Sequence, residues 1–128
     1  MRAMPRQAWA TLERDIERRA CHEAAKWLGV DSIKLDVTGR RGCPDRLFLL
    51  PLGQVYFAEF KRPGAKPRPI QQYEIERLSR LGFNVGVFDN VEKTMQALIE
   101  TIERMGASQL PEGSSEVLNR ARRRWFIS

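Results

Sequence analysis

Apolar residues recur through the first thirty positions at steps of three and four: Trp9, Leu12, Ile16, Ala20, Ala24 and Trp27, with Gly29 just beyond. That spacing predicts an amphipathic helix closed by a glycine cap. The period then changes to two. In "SIKLDVT" Ile33, Leu35 and Val37 alternate with polar neighbours, which predicts a half-buried strand, and "GRRGCP" breaks it with two glycines and a proline. "RLFLL" and "VYFAEFK" read as two strands joined by "PLGQ", a hairpin signal. "RPGAKPRP" is a loop by composition, and a helix from Ile70 to Leu81 ends at Gly82. "FNVGVF" alternates Phe83, Val85 and Val87 as a further strand, and a last helix carries Val91, Met95, Leu98, Ile102 and Met105 on one side.

The predicted order is therefore α-β-β-β-α-β-α, an α/β class. After Gly106 the chain turns loop-like ("ASQLPEGSS") and then basic ("NRARRRWFIS"). The expected organisation is one domain over residues 1–106 and a basic tail over 107–128, partly helical at most. In that tail Arg120, Arg122, Arg123 and Arg124 beside Trp125 and Phe126 read either as a grip on phosphate and a base or as a solvated charge run.

Bulk properties narrow the class. At 128 residues, with 42% apolar and 30% charged positions, the chain suits one soluble domain with a modest core. Its 22 Lys and Arg against 16 Asp and Glu leave a net charge of +6, which favours a polyanionic partner, nucleic acid first. Cys21 and Cys43 are far apart and form no CxxC pair, which argues against structural zinc and for a reducing compartment. "MRAMPRQAWA" lacks the apolar region of a signal peptide, and no apolar run approaches a membrane span. A cytoplasmic protein is expected.

The hairpin holds the candidate chemistry. Centring its turn between Leu52 and Gly53 places Asp45 opposite roughly residue 60. Strand alternation puts Glu59 and Lys61 on one face, so three polar groups gather at one end of a greasy hairpin. Two carboxylates ~4 Å apart repel by ~4 kcal/mol at an effective dielectric of about 20. Without a counter-charge one of them takes up a proton. Lys61 offsets part of the repulsion, and a divalent cation offsets more. Asp, Glu and a backbone carbonyl are the oxygen ligands that Mg²⁺ or Mn²⁺ prefers. The competing reading is a salt-bridged strand end at solvent. The single histidine, His22, has no acid–serine set around it, which argues against a histidine-based hydrolase.

Pro44-Asp45 followed by Glu59-Phe60-Lys61 resembles the PD-(D/E)XK motif of the restriction-endonuclease-like superfamily, whose core order is αβββαβ. The longer string "IKLDVTGRRGCPDRLFLLPLGQVYFAEFKRPGAKPRPIQ", with "DIE" before and "LGFNVGVFD" after, resembles the VRR-NUC (virus-type replication-repair nuclease) family. The likeness runs from about residue 12 to 100, most of the chain. It implies a mixed sheet flanked by helices and a divalent-metal-dependent nuclease. By the same resemblance Asp45, Glu59 and the Phe60 carbonyl hold Mg²⁺, for which Mn²⁺ substitutes, and Lys61 contacts the scissile phosphate and the attacking water. Glu17 matches the helical acid that supports the metal directly or through water, with Glu13 one turn earlier as the alternative. Gln71 matches the family's glutamine near the active site, and Lys34 a basic strand position of unassigned role.

"GRRG" and "KRPGAKPRP" bracket the hairpin end. Their Arg40, Arg41, Arg62, Lys66 and Arg68 read as a DNA path made of phosphate contacts, which carry no base information. Nothing resembles a base-reading module. Stand-alone VRR-NUC proteins of viral type resemble junction resolvases, which implies a homodimer acting on branched DNA, Holliday junctions first. Flaps, nicks or single strands are the alternative substrates, and a non-catalytic DNA-binding module is the alternative class.

Overall fold

A computed structural model describes residues 5–127. The hairpin and its neighbours form a four-stranded sheet in the order β1 (Asp31–Lys34), β2 (Arg46–Leu49), β3 (Val55–Phe60), β4 (Asn84–Phe88). The first two pairings are antiparallel; β3 and β4 run parallel, connected through helix α2 (Pro69–Arg80). Helices α1 (Arg6–Leu28), α3 (Val91–Glu103) and α4 (Ser114–Trp125) complete the chain. This is the mixed sheet flanked by helices that the motif order predicted. Among the described residues no helix is long and apolar enough to cross a membrane.

The even-numbered side chains of the strands build the core. Phe48, Leu50, Tyr56, Ala58, Phe60 and Phe88 are buried beneath α1 and α3. Ala20 and Ala24, both fully buried, let α1 approach α3 closely, and Met95, Leu98 and Ile99 fill the space between. Gly29, at φ 64°, ends α1 in the left-handed cap foreseen, its N–H donating to Ala25. Asn90 caps α3 by accepting the Lys93 N–H at 2.8 Å.

Three expectations change. The strand over "SIKLDVT" stops at Lys34: Leu35 still donates to the Asp45 carbonyl, but Val37 already opens a turn. Ile33 and Val37 are exposed, because β1 is an edge strand and α1 covers its other face. The hairpin register is one residue from the estimate: Arg46 pairs with Ala58, so Asp45 stands opposite Glu59. The turn also uses Leu52 at φ 62° before Gly53 at 71°.

The third change concerns the tail. Residues 114–125 form α4, whose Leu118, Ala121 and Trp125 join the core beside α1 and α3. Gln96 donates to the Trp125 carbonyl at 2.8 Å, and Arg122 makes a two-pronged pair with Glu103. Trp125, 6% exposed, is therefore a packing residue and has no face to offer a base. Its spacing from Leu118 and Ala121 is a helical stripe hidden among arginines.

Candidate active site

Asp45, Glu59, Lys61 and Gln71 converge at one end of the hairpin. Asp45, just before β2, accepts the Phe60 N–H on Oδ2 at 2.8 Å. Glu59, near the end of β3, is 2% exposed, and its Oε2 accepts from Gln71 Nε2 at 2.9 Å and faces Lys61 Nζ at 3.4 Å. Gln71 sits in the first turn of α2, where its Oε1 takes the Arg68 N–H, so one amide ties the helix start to the acid. The Lys61 N–H donates to the Phe88 carbonyl, which anchors that residue's backbone to β4.

A close approach elsewhere positions Asp45. Gly42 packs on the start of α2 with φ 81°, and a Cβ there would stand 2.5 Å from the Ile70 carbonyl oxygen. Only glycine allows the loop before Asp45 to lie this near Gln71.

The electrostatics strain the pair. Burial, then the charge of Asp45, pushes the Glu59 carboxyl up to about 7, against the pull of Lys61. Burial also raises Asp45, with Glu17 adding to the rise, while the Phe60 N–H works the other way. Glu59 Oε1 is buried and has no hydrogen-bond partner. An orphaned carboxylate oxygen beside a second carboxylate is what a hard cation satisfies. Among the described residues no cluster of three His, Cys, Asp or Glu side chains exists. Asp45 and Glu59, together with a backbone carbonyl, are the oxygen donors that could hold such an ion.

The two helical acids each have partners of their own. Glu17 is buried and accepts from Lys34 Nζ at 2.9 and 3.1 Å and from Arg46 Nε at 2.6 Å. Two cations hold its carboxylate, and its remaining charge still adds to the rise at Asp45. Glu13 accepts the Arg62 N–H at 3.1 Å and adds to the rise at Glu59. Lys34, without a clear role from sequence, is a partner of Glu17.

Of the five cations expected to line a DNA path, Arg40 is committed elsewhere. It makes two bonds of 3.0 Å to Glu74, a buried acid on α2 that Arg77 also pairs. Arg40's hydrogen bond is the main reason the Glu74 carboxyl lies below its ordinary range. Arg41, Lys66 and Arg68 are exposed. The Arg62 guanidinium lies over the Trp9 ring, 3.9 Å from its centroid. Sequence reasoning missed Arg46, Glu74 and this use of Trp9. Strand alternation did carry a signal for Arg46, since it shares Lys34's side of the sheet.

A restriction-endonuclease-like sheet with this acid–acid–lysine end defines a class, and the comparisons specify it. A solved VRR_NUC domain matches with 37% identity and a TM-score of 0.61, over 70% of this chain and 95% of that one. A phage protein named "Putative nuclease p44", from Acyrthosiphon pisum secondary endosymbiont phage 1, is 45% identical over 78 residues, which are 61% of this chain and 83% of that protein. No family model matches. The chain belongs to the VRR-NUC family.

Proposed function

We propose that this protein is a divalent-metal-dependent, structure-specific DNA endonuclease that hydrolyses phosphodiester bonds as a homodimer, with four-way junctions as its substrate. One observation carries the reading: a buried carboxylate with an unpartnered oxygen, Glu59, stands opposite the half-buried Asp45 and beside a lysine at the end of a hairpin. Asp45, Glu59 and the Phe60 carbonyl are the groups that would hold Mg²⁺, with Mn²⁺ as a substitute. When bound, the ion supplies water activation and neutralises charge on the phosphate.

The remaining work falls to the chain's own residues. Lys61 keeps a cation at the phosphate oxygens, its Nζ standing 3.4 Å from Glu59 Oε2. Gln71 fixes which Glu59 oxygen is free, and the Phe60 N–H does the same for Asp45. Such preorganisation supplies part of the ~8–23 kcal/mol by which enzymes lower barriers. Arg41, Lys66 and Arg68 receive the flanking phosphates without reading sequence.

The test is cleavage of a labelled four-way junction beside matched duplex, flap and single strand, with Mg²⁺, with EDTA, and with Asp45→Asn. Paired symmetric nicks at the junction, lost in both controls, are the expected result. Cutting confined to flaps or single strands would replace the substrate, and DNA binding without any cutting would leave only a binding module.

A further inference from the structure

Three buried side-chain polar atoms among the described residues have no hydrogen-bond partner: Glu59 Oε1, Glu23 Oε2 and Trp125 Nε1. The first belongs to the active site. The other two side chains come from the first helix and the last, and both line one cavity of about 620 Å³. It lies between the middle of α1, the start of α3 and the end of α4. None of Asp45, Glu59, Lys61 or Gln71 reaches it. Buried polar groups are ordinarily paired, so an acceptor and a donor stranded at one cavity suit a ligand that carries both complements.

The rest of the wall suits an anion. Helix α3, 13 residues long, begins there. Asn90 takes the Lys93 N–H, and the N–H groups of Val91 and Glu92 ahead of it have no intrahelical acceptor at the positive end of the helix. Arg19 of α1 and Arg124 of α4 flank the cavity, both exposed. Among the described residues neither makes an ion pair, although Glu23 follows Arg19 by one helical turn. Two further carboxylates at the wall are engaged. Asp89 accepts the Asn90 amide at 3.0 Å and faces Lys93 at 3.7 Å, and Glu92 accepts from Gln96 at 3.3 Å.

We infer that this cavity is a site for a free nucleoside monophosphate, separate from the nuclease centre. The phosphate takes the α3 N–H groups together with Arg19 and Arg124. The base lies against Ile16 and Ile127, its amino group donating to Glu23 and a neighbouring ring nitrogen accepting from the indole edge of Trp125. The negative charge of Glu23 sets the orientation, because it repels the phosphate end and attracts the amino end. Inorganic phosphate alone would answer the cations and leave Glu23 and Trp125 stranded. A nucleoside alone would do the reverse. The volume falls within the roughly 300–1,000 Å³ of small-molecule sites.

Titration calorimetry on the full chain in EDTA, which keeps metal from the nuclease centre, tests this. The probes are deoxyadenosine, deoxycytidine and thymidine monophosphates, with deoxyadenosine and inorganic phosphate as their halves. The two amino-bearing nucleotides are expected to saturate one site per chain, about tenfold tighter than thymidine monophosphate, phosphate or the nucleoside. Glu23→Gln should erase the preference for amino-bearing bases, and Arg124→Ala should weaken every monophosphate about tenfold. Both variants should keep Asp45-dependent nicking, and Asp45→Asn should keep nucleotide binding. Phosphate alone binding as tightly as the nucleotides, or no saturation at millimolar nucleotide, would overturn the proposal on wild type alone. Binding lost in Asp45→Asn, or unchanged in both folded cavity variants, would overturn the assigned place.

Discussion

Gln71 and Glu59 meet through a single bond of 2.9 Å, buried at the junction of α2 and β3. The same amide receives the Arg68 N–H with its oxygen, so the orientation of the amide is set from both ends. Gln71→Ala should therefore loosen Glu59 as well as the helix start. The expected cost in stability is about 1–3 kcal/mol, the range for stranding a buried polar partner. Urea denaturation would show it as a lower midpoint at constant slope, and kcat should fall more than KM rises.

Glu59 also makes the metal-free protein sensitive to pH. Its folded carboxyl titrates at about 7, above the unfolded reference of 4.5. Between those values the native state holds the proton more tightly than the unfolded chain, so stability falls as pH rises and levels off above the folded value. The gap corresponds to about 3 kcal/mol. Glu59→Gln, which never ionises, should flatten this dependence and raise the melting temperature in EDTA at pH 8 while abolishing cleavage. An unchanged pH profile in the variant would show that Glu59 is not the titrating group.

Arg46 holds Glu17 in its buried position, with Lys34 as the weaker, more exposed partner. Arg46→Ala should destabilise by about 2–3 kcal/mol, short of the full cost of an abandoned buried charge because Lys34 remains. Arg46→Lys, lacking the fork, should recover only part of that in chemical denaturation.

Trp125→Ala should cost about 3–5 kcal/mol, as for a buried aromatic side chain. In the fraction that stays folded, affinity for DNA should be unchanged. A loss of affinity with little loss of stability would return Trp125 to the role of a base-stacking group.

The chemistry of this fold was legible wherever it depended on neighbours in sequence. Asp45, Glu59 and Lys61 could be brought together from turn position and strand alternation alone, whereas Gln71 was marked only by the resemblance to the VRR-NUC family. What escaped depended on partners distant in the chain. Arg40 looked like any loop cation until Glu74, on the facing helix, claimed it. Glu17 matches the helical acid of the VRR-NUC family, and only the pairing of β1 with β2 brings Lys34 and Arg46 together on it. Composition misled at α4, where the arginines outnumber the three apolar positions that decide its place.

Helix α1 packs on both α3 and α4, so the two ends of the described chain share one core. Contacts of such long sequence separation form late and slow folding, because loop closure must be met before they reward it. During synthesis Ile16, Ala20 and Leu98 wait for residues 118–125 before their shared core closes. A chain stopped near residue 106 would leave that surface open to aggregation. Helix α4 thus closes the core that α1 and α3 leave open, through Leu118, Ala121 and Trp125.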